Sequence, residues 1–253
     1  MILDQFKLTG KVAIVTGAGR GLGQGMALAL AEAGADIVGV DILETTETEN
    51  AVNALGRRFF GIKANLMNSK ICASVISKAA KKMRKVDILV NCAGIIRRSD
   101  ITEFSEKDWD DVMNLNAKSL FFLSQATALQ FIAQKSGGKI INIASMLSYQ
   151  GGIRVVSYTA SKHSVVGITR AMANELAGHN IQVNAIAPGY MATDNTTALR
   201  ADKKRYKQIL ERIPAGRWGT PDDLKGTVTF LASPASDYIT GSVIPVDGGW
   251  LAR

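Results

Sequence analysis

The chain has 253 residues, 47% hydrophobic and 21% charged, a composition that fits one large globular core and excludes disordered or low-complexity chains. No stretch reaches the roughly 18–20 uncharged apolar residues of a membrane span; the best candidate, Met26 to Ala35, is interrupted by Glu32. The net charge of +8 gathers in two runs, Lys78/Lys81/Lys82/Arg84/Lys85 and Lys203/Lys204/Arg205/Lys207, with only Tyr206 interleaved, so they read as solvated helix faces that attract small anions rather than as a nucleic-acid surface.

From the N-terminus, Asp4 and Lys7 flank Phe6 and leave no apolar signal-peptide core. Lys11–Thr16 (KVAIVT) is a β-branched apolar run ending in glycines, the pattern of a strand buried on both faces. Met26–Ala33 then reads as helix, Asp36–Val40 as strand, Glu47–Leu55 as helix, Phe59–Lys63 as strand, Ser69–Arg84 as helix and Asp87–Asn91 as strand. A long helical region covers Glu106–Gln134, followed by a strand at Lys139–Ala144, a helix at Tyr158–Ala177 and a strand at Ile181–Ala187. Tyr190–Arg217 is the least regular region and a candidate substrate lid; two more helical stretches and a strand at Ser242–Val246 complete the chain. Cys72 and Cys92 stand apart with no Cys-x-x-Cys spacing, as expected in a reducing cytoplasm.

Strands separated by helices of this length need crossovers. The expectation is a single α/β domain over residues 1–253: a Rossmann-type, doubly wound parallel sheet of about seven strands with helices on both faces. Ligands in such sheets bind beyond the carboxyl ends of the strands, where the strand order reverses. Every motif below falls at such an end.

Thr16-Gly-Ala-Gly-Arg-Gly-Leu-Gly23 joins the first strand to the first helix. Glycine removes the Cβ that would block a pyrophosphate, and free N–H groups at a helix start bind anions. Gly17, Gly21 and Gly23 give Gly-x-x-x-Gly-x-Gly rather than the strict G-x-G-x-x-G. Asp41 closes the second strand near the roughly 20-residue spacing of a ribose-binding carboxylate. There it would accept hydrogen bonds from ribose hydroxyls and repel a 2′-phosphate, which favours NAD over NADP. Arg20 argues the other way, since a cation in the turn could reach such a phosphate.

Tyr158-Thr-Ala-Ser-Lys162 puts a phenol and an ammonium one helical turn apart. A tyrosine titrating near 10 becomes a usable base when an adjacent cation favours its phenolate. Ser145, at the end of the preceding strand, could hydrogen-bond a substrate oxygen as charge develops. With only His163 and His179, the chain is short of the usual zinc ligands, and no metal is expected.

Taken together, Thr16–Gly23, Asn91–Gly94 (NCAG), Asn116 in MNLNAKS, INIAS ending at Ser145, YTASK, and Pro188–Thr193 (PGYMAT) resemble the short-chain dehydrogenase/reductase family over essentially the whole chain. The resemblance implies a catalytic tetrad of Asn116, Ser145, Tyr158 and Lys162, with Lys162 also on the nicotinamide ribose and Asn116 holding a water that relays protons. It implies a dinucleotide held by Gly17, Arg20, Gly21, Leu22, Gly23, Asp41, Asn65, Leu66, Asn91, Ala93, Gly94, Tyr158, Lys162, Pro188, Gly189 and Thr193. A homotetramer is implied too, with the Glu106–Gln134 and Tyr158–Ala177 helices at an interface. Asn65 stands where the family commonly has an aspartate, and Cys92 replaces a second asparagine.

Phe104–Asn116, Gly138–Tyr149, Gly151–Arg154, Ile213–Gly219 and Val246–Arg253 are similar more narrowly to family members that act on a keto-deoxy sugar acid of uronate breakdown with NAD(H). Such a substrate carries a carboxylate, which a planar guanidinium binds well. The candidates are Arg154, Arg97 and Arg98, with Gln150 for a hydroxyl. Gluconate, another polyol or a 3-oxoacyl thioester remain alternative substrates. A non-catalytic dinucleotide sensor is the alternative from another class, although it would have no need of the tetrad.

Overall fold

The apolar runs pair into one seven-stranded sheet in the computed structural model, which describes residues 1–253. The strands are β1 (Val12–Thr16), β2 (Asp36–Asp41), β3 (Phe59–Lys63), β4 (Ile88–Asn91), β5 (Gly138–Ile143), β6 (Ile181–Pro188) and β7 (Val243–Val246). Their order is β3-β2-β1-β4-β5-β6-β7, and every pair is parallel. Ile14 thus pairs with Val38 on one side and Leu89 on the other. The chain steps outward from β1 to β3 and then returns to β4 beside β1. That reversal opens a crevice over the β1 and β4 carboxyl ends.

Because β1 is covered on both faces, its side chains serve two cores. Ala13 and Val15 join the cluster under α1 (Gly21–Glu32), α2 (Thr46–Ala54) and α9 (Lys225–Ala232). Val12 and Ile14 join the cluster under α3 (Cys72–Met83), α5 (Leu120–Gln134) and α6 (Val156–Leu176). At roughly 25 cal/mol per Å² of apolar surface removed from water, these two layers are the main force holding the sheet. No helix is long and apolar enough to cross a membrane.

Three elements differ from the sequence reading. Helix α1 begins at Gly21 rather than Met26, because its glycine-rich first turn carries no apolar periodicity. The region expected as one long helix is α4 (Glu106–Met113), a π-helical turn (Asn114–Ser119) and α5. Such turns interrupt helices at functional positions, and this one carries the buried Asn116. Tyr190–Arg217, read as the least regular region with a basic helix face at Lys203–Lys207, holds two helices, α7 (Thr197–Ala201) and α8 (Lys203–Arg212). Asp202 caps α8 by accepting from the Arg205 N–H at 3.0 Å. Charged residues dominate α8, and Ile209 alone is buried, so an apolar pattern had little to register. Ile209 and Ile213 pack with Met146, Trp218 and Trp250. The C-terminus folds back on the same helix, where the Arg253 guanidinium donates to the Glu211 and Arg212 carbonyls.

Candidate active site

Thr16 closes β1 and fastens it to the end of β4: its Oγ1 accepts from the Cys92 and Ala93 N–H groups, both at 3.0 Å. Gly17, at φ +69°, brings its backbone so close to Ala93 that a Cβ would lie 3.1 Å from that backbone. A Cβ on Gly23 would come within 2.0 Å of the Gly17 carbonyl. The turn therefore excludes side chains at both positions. From α2, Thr48 Oγ1 donates to the Ala18 carbonyl at 2.7 Å and props the turn from behind. No side chain caps α1, so its first N–H groups are left to bind an anion. Asp41 accepts from the Gly19 N–H at 2.8 Å and the Leu43 N–H at 3.0 Å. Each of its oxygens keeps acceptor capacity for a ribose hydroxyl.

A cleft of about 340 Å³ runs across this turn. Gly17, Arg20, Gly21, Leu22, Gly23, Asp41, Asn65, Leu66, Ala93, Gly94, Tyr158, Lys162 and Thr193 all line it, as does an apolar slot of Ile42, Leu43 and Met67. These glycines, the uncapped helix start, the carboxylate and the apolar residues beside it fit a dinucleotide. Three expected contacts lie elsewhere. Asn91 is buried beneath the cleft, where its Nδ2 donates to Ser124 Oγ at 2.8 Å and Asn142 Oδ1 at 2.9 Å, tying β4 to α5 and β5. Pro188 ends β6 outside the lining, and Gly189 lines a neighbouring cavity with Val246 and Asp247. A Cβ on Gly189 would meet the Asp247 Cα at 2.6 Å, so its role is close approach of the β6 and β7 ends.

Helix α6 sets Tyr158 and Lys162 side by side, with the ammonium 5.5 Å from the phenol ring centre. Lys162 Nζ donates to the Ile143 carbonyl at 2.6 Å, and Ser148 Oγ donates to the Lys162 carbonyl at 2.6 Å. Ser145 follows β5 and caps the turn Met146–Ser148, its Oγ accepting from the Leu147 N–H at 3.1 Å. Burial holds Lys162 down to about 8. The phenol does not follow the expectation from its cationic neighbour: burial pushes Tyr158 up to about 12, against the Ser145 hydroxyl and the Arg98 charge, which pull it down. Desolvation of a phenolate outweighs both.

Asn116 clasps the chain just past Gly94. Its Oδ1 accepts from the Ile95 N–H and its Nδ2 donates to the Ile95 carbonyl, both at 2.9 Å. A third bond reaches Ser161 Oγ at 3.2 Å, and Ser161 in turn donates to the Tyr158 carbonyl at 2.7 Å. Sequence reasoning passed over Ser161, although it sits inside the YTASK motif. Cys92 packs against the core as a small apolar residue, and burial raises its thiol to about 12. His163 is exposed on α6 and bonds only its own helix.

The arginines divide. Arg97 turns toward α4, its guanidinium 3.2 Å from Asp108 and 3.6 Å from Asp111. Arg154, at φ +64°, pairs with Asp100 at 2.9 Å. Gln150 accepts from Arg212 at 3.3 Å. Arg98 has no carboxylate partner; it donates to the Asn195 carbonyl at 3.2 Å, and its charge is felt at Tyr158. Asp194 and Asn195 also line the cleft, and the sequence reading had not singled out Asp194. Its carboxylate lies 2.9 Å from the Arg20 guanidinium.

The sheet order, the glycine turn and the Ser–Tyr–Lys cluster define a dinucleotide-binding oxidoreductase acting on CH–OH groups. Residues 17–251 match the family model described as Enoyl-(Acyl carrier protein) reductase, and the chain belongs to the short-chain dehydrogenase/reductase family. It is 66% identical to the 2-dehydro-3-deoxy-D-gluconate 5-dehydrogenase of Dickeya dadantii, over 100% of both chains. A structure from Agrobacterium tumefaciens, described as a 2-deoxy-D-gluconate 3-dehydrogenase with bound NADP, is 51% identical at TM-score 0.94, covering 99% of this chain and 100% of that one. The gluconate 5-dehydrogenase of Burkholderia cenocepacia, in complex with NADP and tartrate, is 37% identical at TM-score 0.96, with 100% of each chain covered.

Proposed function

We propose that the chain interconverts 2-dehydro-3-deoxy-D-gluconate and its 2,5-diketo form with NAD(H), using Tyr158 as general acid and base. One observation carries the reading beyond the family: a guanidinium without an acidic partner, Arg98, is tied to the Asn195 carbonyl, and its charge bears on the phenol of Tyr158. A planar cation there suits the carboxylate of a sugar acid. The dinucleotide supplies or accepts the hydride. The turn Gly17–Gly23 would take its pyrophosphate, Asp41 a ribose, and Thr193 its amide.

Tyr158 takes the hydroxyl proton in oxidation and returns it in reduction. Ser145 holds the substrate oxygen. Lys162, anchored on Ile143, holds its ammonium beside the phenol, whose burial keeps it protonated and so ready as the acid in reduction, and Asn116 fixes the loop and helix around it. The carboxylate of Asp41 supports NAD; Arg20, and the NADP in two related structures, are the counter-argument. Helices α7 and α8 act as the lid over substrate. The proposal includes a cytoplasmic homotetramer; exposed Trp109, Phe122, Leu129 and Ile132 on α4 and α5 support self-association through these helices.

The test is a substrate panel followed by absorbance of the reduced dinucleotide. It sets 2-dehydro-3-deoxy-D-gluconate, D-gluconate and a neutral polyol against NAD and NADP, and a 3-oxoacyl thioester against the reduced forms. The keto-deoxy acid with NAD should give the highest kcat/KM; a higher value for gluconate, polyol or thioester rejects the substrate, and a higher value with NADP rejects the cofactor preference.

A further inference from the structure

Only two cationic side chains line the dinucleotide cleft, Arg20 and Lys162, and Lys162 is buried and anchored to the Ile143 carbonyl. Arg20 is thus the one exposed cation available there to a ligand. It is paired with one carboxylate and follows a residue held by another. The adjacent Gly19 donates its N–H to Asp41 Oδ2 at 2.8 Å. Asp194 reaches across from the segment after β6 and pairs with Arg20 at 2.9 Å, both side chains well exposed at 63% and 69%. The two segments meet directly: a Cβ on Gly21 would sit 3.9 Å from the Thr193 methyl.

We infer that Asp194 is a specificity-determining residue for the dinucleotide, neutralising Arg20 and so denying a 2′-phosphate the only exposed cation in the cleft. The inference rests on the cleft being the dinucleotide site. A 2′-phosphate would have to displace Asp194 from Arg20 and would meet the charge of Asp41 where the ribose binds. A 2′-hydroxyl meets neither obstacle and can donate to Asp41. The pyrophosphate common to both dinucleotides is served by backbone N–H groups of the turn, which Asp194 does not occupy. Exposed ion pairs hold weakly, so Asp194 tunes the preference while Asp41 sets its direction.

The experiment is titration of the full-length protein with NADH and NADPH by fluorescence, for the parent, Asp194→Asn, Arg20→Gln and the double variant. All substitutions are at exposed positions. Asp194→Asn should tighten NADPH by about three- to fivefold and leave NADH nearly unchanged. The gain should shrink at high salt and vanish when Arg20 is already Gln. An equal shift for both dinucleotides, or a gain that persists without Arg20, overturns the inference. Failure of the parent to bind either dinucleotide is a separate result: it removes the cleft assignment itself, and the inference with it.

Discussion

The two halves of the sheet build their shares of the cleft by different means. On the β1–α1–β2 side nearly every contact is backbone or one atom from it: Gly17 against Ala93, Gly23 against Gly17, and Asp41 on the Gly19 N–H. On the side formed after β4, the wall is made by side chains of separate segments, among them Leu115, Tyr158, Lys162 and Asp194, and the surface around it carries ion pairs, Arg97 with Asp108, Arg154 with Asp100, and Arg217 with Asp223. Close backbone packing leaves one geometry. Exposed ion pairs, each worth about 0–1 kcal/mol, can exchange a partner for a ligand. The glycine turn that takes the pyrophosphate is therefore fixed by sterics, and the side beyond β4, Asp194 opposite Arg20 included, stays open to retuning by charge.

The largest expected effect lies at the boundary between the halves. Tyr158→Phe should lower kcat by about a thousandfold or more, since it removes the only proton-transfer group aimed at the substrate. Dinucleotide affinity, read by fluorescence titration, should be nearly unchanged. Turnover that survives would leave the comparison without a catalytic centre to divide around. Within the cofactor half, Gly23→Ala forces a Cβ to 2.0 Å from the Gly17 carbonyl, whereas a Cβ on Gly151 meets nothing within 4 Å. Gly23→Ala should weaken NADH binding by about ten- to a hundredfold and lower Tm by several degrees. Gly151→Ala should do neither, and equal behaviour of the two would break the steric account.

The same contrast explains how much could be read from the sequence. Every strand was legible to within a residue or so: the central strands because burial on both faces demands mostly apolar residues, and the half-exposed edge strands β3 and β7 because they keep short aromatic or β-branched runs. The glycine turn, Asp41 and the Tyr158–Lys162 pair were legible because close approach and helical spacing leave few alternatives. What escaped depended on partners distant in sequence. Nothing near Arg97 announces that Asp108 will claim it, nor near Arg20 that Asp194 will. Asn91, Pro188 and Gly189 occupy motif positions yet support the cleft from beneath or beside it. Helix α8 was legible only as a basic helix face inside the least regular region, because a cap and one buried isoleucine define it more than any apolar stripe.

In the substrate half, the arginines offer a graded test. Arg98→Met should raise KM for the sugar acid by about tenfold or more, as expected for loss of a charged hydrogen bond of about 1.5–3 kcal/mol. Arg154→Met, which gives up an exposed pair to Asp100, should raise it by no more than about twofold. A neutral substrate should feel neither change. A larger effect at Arg154 than at Arg98 would reverse the assignment of the carboxylate.

The smallest effect is one of stability, and it sharpens what burial does at the boundary. Burial holds Lys162 at about 8, below its ordinary 10.5. Between those values the unfolded chain binds more protons than the folded one, so this residue's contribution to stability rises with pH across the window. Below 8 the full cost of burying the ammonium is present. Tyr158 acts in the opposite sense at higher pH: raised from 10 to about 12, it keeps its proton when folded, and stability falls as pH climbs through that range. Lys162→Met removes only the first effect. The loss of its bond to the Ile143 carbonyl is independent of pH and cancels in the slope. In urea unfolding, the parent should gain on the order of 2–3 kcal/mol over Lys162→Met between pH 7 and pH 10. A flat difference would mean that the ammonium is solvated, and that the phenol beside it lies in wetter surroundings than the packing of α6 implies.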